Sequence, residues 1–193
     1  MNSDVSTLAD WIAQSPSTVF FGGAGVSTES GIPDFRGANG FYFQEREIPL
    51  ETVLSIDFFT QHPEAYWEWF HEIYRPVEPN GAHRALALLE GAGHLDAVIT
   101  QNIDGLHQRA GSRTVWELHG NWERLVCTQC GAVAALRDAV TVDGDPVPAC
   151  PSCGGQMRPD IVMYGESLDE AVIEAAVSAI ARASTLIVAG TSL

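Results

Sequence analysis

Basic residues are scarce in this 193-residue chain, which has 10 Lys and Arg against 25 Asp and Glu and a formal net charge of −15. A nucleic-acid surface needs a basic patch to neutralise phosphates, so this balance argues against DNA or RNA as a partner. No apolar run approaches the roughly 18 residues of a membrane helix. The segment from Met1 to Gln14 is polar and acidic, unlike a targeting peptide. We therefore expect a cytoplasmic protein without membrane association.

Cysteine is also sparse, and the four cysteines of the chain form two Cys-x-x-Cys pairs: Cys127, Cys130, Cys150 and Cys153. Two such turns that face each other supply the four tetrahedral thiolates of a structural zinc site. Four buried free thiols are the alternative, and disulfides are less favoured because the sequence has no secretory signal. A closed four-cysteine site has no open coordination position. The zinc would therefore stabilise the fold, and the chemistry would lie elsewhere.

Buried strands alternate with helices along the chain, which predicts an α/β protein with a Rossmann-like parallel sheet. Strands are expected at 18–21, 96–100, 114–118 and 185–189, with helices at 6–14, 82–91 and 169–183. The last helix is expected to turn one apolar face toward a core: Val172, Ile173, Ala176, Val177 and Ile180. A helical aromatic stretch and the cysteine segment interrupt the sheet. We predict a sheet domain (1–36, 80–124 and 158–193), a small helical lobe with a loop (37–79) and a zinc-binding lobe (125–157).

Glycine-rich or hydroxyl-bearing turns follow the first and last predicted strands, and ligands of open α/β sheets bind at the carboxyl ends of strands. In the segment 22–27, glycines would let backbone N–H groups approach a phosphate, although a plain strand-to-helix turn explains them too. The segment 190–192 suits a phosphate or ribose, or is a terminal coil. In the loop 33–37, Arg36 could neutralise a diphosphate or pair with Asp34.

Two further polar clusters follow the second and third strands. Gln101, Asn102 and Asp104 could together bind a ribose or a carboxamide, whereas Asn102 or Asp104 could simply cap a helix. His119 titrates near neutral pH and suits a general base, although a lone histidine is often structural.

In order and spacing, these pieces resemble the sirtuin family of NAD-dependent protein lysine deacylases across nearly the whole chain. The matching segments are GAGVSTESGIPDFRG (23–37), TQNIDGLHQRAG (100–111), ELHG (117–120), CTQC and CPSC, RPDIVMYGE (158–166) and AGTSL (189–193). The segment around YGE is most similar to the bacterial deacetylase branch.

The resemblance implies a deacetylase that consumes NAD, keeps zinc as a structural ion and acts on acetyl-lysine proteins or peptides. It implies His119 as the general base, with Asn102 and Asp104 as further catalytic residues. The residues it places against NAD are Gly23, Ala24, Gly25, Ser27, Asp34, Phe35, Arg36, Gln101, Asn102, Asp104, His119, Gly190, Thr191 and Ser192. The residues it places in the peptide cleft are Val162, Tyr164, Gly165 and Glu166.

Two departures from the family pattern shape the expectations. Sirtuins that prefer succinyl or malonyl groups carry a Tyr-x-x-Arg pair, and the equivalent stretch here, 70–73, has no arginine. We therefore expect a preference for acetyl or other uncharged acyl groups. Sirtuins also continue past the Gly-Thr-Ser turn, so the resemblance predicts a sheet truncated at its C-terminus, an exposed sheet edge and weak NAD binding. An inactive peptide-binding fragment and a protein ADP-ribosyltransferase remain the alternative functions.

Overall fold

The structure is a computed structural model that describes residues 3–34, 37, 40, 48–139 and 146–192. Within these residues the strands are β1 (Thr18–Gly22), β2 (Ala97–Thr100), β3 (Val115–Glu117), β4 (Gly120–Cys127), β5 (Val133–Ala135), β6 (Met157–Ile161) and β7 (Thr185–Ala189). The helices are α1 (Ser3–Gln14), α2 (Leu50–Val53), α3 (Ile56–Gln61), α4 (Pro63–Ile73), α5 (Gly81–Gly91), α6 (Leu106–Ala110) and α7 (Glu170–Arg182). Mixed strands and helices confirm the predicted α/β class.

The main sheet has four strands in the order β3-β2-β1-β7, and every neighbouring pair is parallel. Its central strands are rich in β-branched and aromatic residues, and all four residues of β2 are buried. One face packs against α5 through Phe20, Leu86 and Val98, and the other face packs against α7 through Val19 and Ala176. Helices thus cover both faces of a parallel sheet, as in Rossmann-like folds.

Strand β7 lies at one edge of this sheet and, among the described residues, pairs with β1 alone. Leu186 and Val188 on β7 are 43% and 42% exposed. Val177 on α7, which the sequence predicts to face a core, is 59% exposed. The exposed edge is in line with the expectation from the sequence, whereas burial of Val177 is not observed because no described element packs over that side of α7.

A second, antiparallel sheet has the order β5-β4-β6 and carries the cysteine turns at its end. It runs from Gly120 to Ile161 and so extends past both ends of the predicted lobe at 125–157. Gly120 has a positive φ of 78°, and a Cβ there would lie 2.1 Å from the carbonyl oxygen of Asp160. Only glycine allows β4 to start this close to β6.

The helical lobe and the small sheet share one core. Trp67 and Tyr66 of α4 are fully buried, and they pack in a cluster with Leu125 and Met157 of the small sheet. The indole Nε1–H of Trp67 donates to the carbonyl of Met157 at 3.3 Å. The two segments that interrupt the main sheet therefore stabilise each other. No helix in the described part of the chain is long and apolar enough to cross a membrane.

Candidate functional site

The turns after β1, β2 and β7 meet at the carboxyl edge of the main sheet. The N–H of Gly25 donates to the carbonyl of Gly190 at 2.8 Å, and that of Gly23 donates to the carbonyl of Ala189 at 3.3 Å. The Thr191 hydroxyl donates to Oε1 of Gln101 at 2.9 Å. These bonds bring together three of the segments that the sequence predicts to bind a ligand: 22–27, 101–104 and 190–192.

Close packing between these turns explains the glycines. A Cβ on Gly23 would lie 2.8 Å from Oε1 of Gln101, and one on Gly25 would lie 2.8 Å from Cα of Gly190. Gly190 itself has a φ of 66°, a conformation that side chains disfavour. The residues Ala24–Val26 form a single 3-10 turn rather than the start of an α-helix. The glycines are required by contacts within the protein, whatever ligand the edge also binds.

Ser27, Asn102 and Asp104 form a buried hydrogen-bonded group at this edge. The Ser27 hydroxyl donates to Oδ2 of Asp104 at 2.6 Å, and Nδ2 of Asn102 donates to the Ser27 oxygen at 3.0 Å. The three residues are 1%, 9% and 6% exposed. A serine and a carboxylate at this distance fix each other's orientation, because a hydrogen bond to a charged group is short and strong.

Asp104 also supports the start of a helix, although the N-cap of α6 is Gly105 and not Asp104, as the alternative explanation required. Its Oδ1 accepts a hydrogen bond from the N–H of Leu106, the first residue of α6, at 3.0 Å. The two carboxylate oxygens thus serve two purposes, since one supports α6 and the other binds Ser27. Asn102 caps no helix: its side chain bonds Ser27, and its N–H donates to the Thr100 hydroxyl at 3.0 Å.

His119 lies between β3 and β4, half-buried, with one ring nitrogen held by the backbone. Its Nδ1 is 2.8 Å from the carbonyl oxygen of Gln101. A carbonyl only accepts, so Nδ1 carries the proton, and Nε2 of the neutral ring has a free lone pair. The His119 carbonyl accepts from the N–H of Val162 at 2.9 Å, which ties the predicted peptide-cleft segment to the histidine.

The segment 162–166 lies against the helical lobe. The N–H of Tyr164 donates to the carbonyl of Leu54 at 2.9 Å, and the carbonyl of Tyr164 accepts from the N–H of Ile56 at 3.0 Å. The Tyr164 side chain is 49% exposed. Backbone bonds on both sides of Tyr164 fix it against the helical lobe, and the N–H of Glu166 donates to the carbonyl of Met163 at 3.0 Å, so the segment turns after Met163.

Glu166 forms an ion pair with Arg158 inside the protein. Arg158 binds its carboxylate with two parallel bonds of 2.7 and 2.6 Å, and the N–H of Met163 donates to the same carboxylate at 2.9 Å. The side chains of Arg158 and Glu166 are 13% and 27% exposed. These contacts show that Glu166 stabilises the segment from inside the protein, and its assignment to the peptide cleft stays a prediction.

The loop after the glycine-rich turn is described only in part. Oδ1 of Asp34 accepts from the N–H of Gly37 at 2.7 Å, so this carboxylate stabilises the loop itself. Phe35 and Arg36, which the sequence also predicts to contact the cofactor, lie outside the described residues.

One buried residue of this site escapes the sequence prediction. His83 on α5 is fully buried, and its Nε2 lies 3.5 Å from the hydroxyl oxygen of Ser27. The sequence signal for it is local. Asn80 follows a helix-breaking proline, and three residues later His83 has a side chain that can accept a hydrogen bond from the Asn80 N–H, as in a capping box. That pattern predicts a helix start and does not reveal the contact with Ser27.

The four cysteines fit a zinc ion. Their Sγ atoms all lie within 4.8 Å of one another, with 3.6 Å between Cys127 and Cys153 and 3.7 Å between Cys130 and Cys150. Tetrahedral Zn–S bonds of about 2.3 Å place the sulfurs roughly 3.8 Å apart. The structure thus brings together all four predicted ligands, and two of the six distances between their sulfurs are close to those of a tetrahedral zinc site.

Backbone N–H groups prepare these sulfurs for a metal. The N–H groups of Gln129, Ser152 and Gly155 donate to the sulfurs of Cys127, Cys150 and Cys153 at 3.4 Å each. Bonds from the N–H groups of Cys130 and Gln129 lower the pKa of the Cys127 thiol to about 6. A thiolate is the form that binds zinc, so these bonds favour the ligand state of the cysteine.

Comparison with known proteins gives a consistent result. The sequence profile of the Sir2 family matches residues 23–193. An NAD-dependent protein deacetylase of Clostridium acetobutylicum is 48% identical over 193 residues, which cover 98% of this chain and 78% of that protein. One of Cutibacterium acnes is 50% identical over 190 residues, or 96% of this chain and 77% of that protein. A solved structure of Sir2 with a p53 peptide and NAD+ has a TM-score of 0.84 and 43% identity, covering 97% of this chain and 76% of that one.

Proposed function

The chain belongs to the Sir2 family and is an NAD-dependent protein deacetylase, and we propose that its reaction takes place between Ser27, Asn102, Asp104 and His119. NAD supplies a ribose carbon that takes up the acetyl oxygen as nicotinamide leaves, which the family resemblance implies. The observation that carries the assignment of the site is the buried Ser27–Asn102–Asp104 group beside the free Nε2 of His119. Polar side chains, one buried carboxylate and one histidine suit cleavage of a glycosidic bond better than hydride transfer.

His119 is the proposed general base. The carbonyl of Gln101 holds the proton on Nδ1, which leaves the lone pair of Nε2 directed away from the backbone and able to take a proton from a ribose hydroxyl. The same carbonyl stabilises the imidazolium that forms, because Nδ1–H remains its donor. Asn102 and Asp104 orient the sugar and the carboxamide in this proposal, and the turns at Gly23–Gly25 and Gly190–Ser192 hold the rest of the cofactor.

The proposed substrates are acetyl-lysine proteins or peptides. The N–H of Val162 bonds the His119 carbonyl and so holds the segment 162–165 next to the histidine, and a peptide that adds as a strand beside this segment would deliver its side chain to His119. A structural relative that holds both a p53 peptide and NAD+ supports this proposal. We assign Val162, Tyr164 and Gly165 to the cleft, whereas Glu166 supports it through Arg158.

The zinc keeps a structural role in this proposal. Four thiolates fill its coordination sphere, so no position is left for a substrate or a water. We also propose a cytoplasmic location, because two of the four cysteines, Cys130 and Cys153, are exposed and would be oxidised in a secretory compartment. The division into sheet domain, helical lobe and zinc lobe is likewise proposed, with the zinc lobe extended to 120–161 to include its whole sheet.

Mass spectrometry tests the activity directly. The purified, zinc-loaded chain is incubated with an acetyl-lysine peptide, with and without NAD. We expect loss of the acetyl group only with NAD, release of nicotinamide, and no loss with His119→Ala. Labelled ADP-ribose on protein in the absence of any acyl substrate would instead indicate the ADP-ribosyltransferase. A folded chain that keeps its peptide acetylated would support the inactive peptide-binding alternative.

A further inference from the structure

The start of α5 is bound to the serine of the active site. Asn80 accepts at its Oδ1 from the N–H groups of Ala82 and His83, and its own N–H donates to Nδ1 of His83 at 3.3 Å, which completes a capping box. Nδ2 of Asn80 donates to the carbonyl of Val26 at 2.7 Å. The beginning of α5 therefore touches the residue that precedes Ser27 and, through His83, Ser27 itself.

The capping bond fixes the tautomer of His83. Nδ1 accepts from a backbone N–H, so in the neutral ring the proton must be on Nε2, which faces the Ser27 oxygen at 3.5 Å. Burial lowers the pKa of His83 and outweighs the opposite effect of Asp104, and the adjacent Arg84 lowers the pKa further. Because His83 is neutral at pH 7, the Nε2–H donor is present in the resting protein.

The Ser27 hydroxyl then has a complete and directional set of bonds. A hydroxyl donates once and accepts twice. Both acceptor positions are used by N–H donors, from Asn102 and from His83, so the only hydrogen of Ser27 is directed to Asp104.

We propose that His83 is a positioning residue of the deacetylase site, which fixes the orientation of the Ser27 hydroxyl and through it the carboxylate of Asp104. His83 packs edge-on against His107, with ring centroids 4.7 Å apart. Because His83 is fully buried, it can act on a substrate only through Ser27. The inference rests on the proposed roles of Ser27 and Asp104 in the reaction.

Two conservative variants separate the roles of the two ring nitrogens. In His83→Asn the side-chain oxygen can replace Nδ1 as the acceptor of the Asn80 N–H, but nothing reaches Ser27. In His83→Gln the amide nitrogen reaches the position of Nε2, and the cap is lost. We expect His83→Asn to lose kcat about ten-fold, because one buried hydrogen bond is missing, and to melt no lower than His83→Gln, because the cap is kept. We expect His83→Gln to melt lower and keep kcat within about three-fold of the parent.

A double variant provides the decisive comparison. In the Ser27→Ala background, His83→Asn should reduce kcat less than about two-fold further, because residues in one network are not additive. A full ten-fold loss in that background would overturn the proposal. So would losses of kcat in His83→Asn and His83→Gln that simply parallel the loss of melting temperature in each variant. His94→Asn and His94→Gln, at an exposed histidine after α5, serve as matched controls.

An NMR measurement tests the geometry without reference to activity. Nitrogen chemical shifts of His83 in the parent protein should report a proton on Nε2 and none on Nδ1, and the Nε2 signal should move in Ser27→Ala. A proton on Nδ1 would overturn the inference even in an active enzyme. If the parent protein shows no deacetylation while these shifts appear as expected, the proposed function fails and the Ser27–His83 contact stands.

Discussion

The hydroxyl of Ser27 lies 2.6 Å from Oδ2 of Asp104, although the two residues are 77 positions apart in the chain. Ser27 follows β1 and Asp104 follows β2, and the parallel pairing of these strands brings their ends side by side. The contact depends on strand register, because a slip of β1 against β2 would move the turn that carries Ser27 away from the turn that carries Asp104.

Loss of the Ser27 hydroxyl should impair catalysis, because Asp104 and Asn102 lose the partner that orients them. A hydrogen bond to a charged group contributes about 1.5–3 kcal/mol, so Ser27→Ala should lower kcat/KM for NAD by about 10- to 100-fold. Steady-state kinetics with an acetyl-lysine peptide measure this effect. Thr60→Ala removes a hydroxyl from exposed α3 and should leave kcat/KM unchanged. Equal kcat/KM for the parent and Ser27→Ala would contradict the proposed site.

His119→Ala should abolish the base without unfolding the protein. General bases contribute about 10²- to 10⁴-fold, and we expect a loss of kcat in that range. NAD binding, measured by calorimetry, should persist, because Gln101 keeps its side-chain bond to Thr191. His94→Ala, at an exposed histidine, is the control. If His119→Ala lowers kcat by less than about three-fold, another residue must be the general base.

Zinc removal should destabilise the shared core of the two lobes. Losing a metal site is among the large single-site effects, above about 4 kcal/mol, and each 1 kcal/mol lowers Tm by about 2–4 °C at this chain length. Cys153→Ser should therefore lower Tm by about 10 °C, and its zinc content by atomic absorption should fall to near zero. Ser152→Ala, next to the ligands, keeps its backbone donor to Cys150 and should retain zinc. A Cys153→Ser protein with unchanged Tm would refute a structural zinc.

The Arg158–Glu166 pair should make the free energy of unfolding depend on pH in the acidic range. Burial raises the pKa of Glu166, but the bonds from Arg158 and the Met163 N–H outweigh it and hold the pKa below the ordinary 4.5. A carboxylate with a lowered pKa contributes its full stability above pH 4.5 and loses it as the pH falls through the folded-state pKa. Glu166→Gln should cost about 3 kcal/mol at pH 7, and urea unfolding should show this difference shrinking below pH 4.5.

Exposed Glu68→Gln on α4 is the matched control for that pair and should track the parent at every pH. A constant difference between Glu166→Gln and the parent from pH 7 to pH 3 would mean that the carboxylate charge contributes nothing.

The acyl preference should favour uncharged groups. The stretch 70–73 has no arginine, and the next one along the chain, Arg75, donates to the carbonyls of Tyr74 at 2.9 Å and His71 at 3.3 Å. Glu72 in the same stretch would repel an acyl carboxylate. Rates with matched acetyl and succinyl peptides should differ at least about ten-fold in favour of acetyl, since an unpaired charge costs more than 1.4 kcal/mol. Faster removal of succinyl would contradict this prediction.

Local patterns predict much of this fold. Strand β7 has the predicted bounds, and β1 and α5 begin within one residue of them, because β-branched runs and the break at Pro79-Asn80 are short-range signals. The cysteine quartet is equally local, since the spacing alone brings two pairs of sulfurs together.

Contacts between distant segments could not be predicted in the same way. Helical periodicity assigns Val177 to an apolar face, but burial depends on whether another element covers that face. The contact of His83 with Ser27 depends on how α5 packs against the β1 turn. The common core of Trp67 and Met157 likewise joins segments 90 positions apart.

The parallel order of the main sheet has a consequence for how the chain is made. Strand β1 gains one neighbour from residues 97–100 and the other only from residues 185–189. At roughly 5–20 residues per second, a ribosome needs on the order of 4–17 s to add the residues between Thr100 and Thr185. During that interval the nascent β1 has one unpaired side, whereas the cysteine lobe between Gly120 and Ile161 can already close around its metal. The order of synthesis therefore allows the cysteine lobe to form before the sheet that carries the glycine-rich turns is complete.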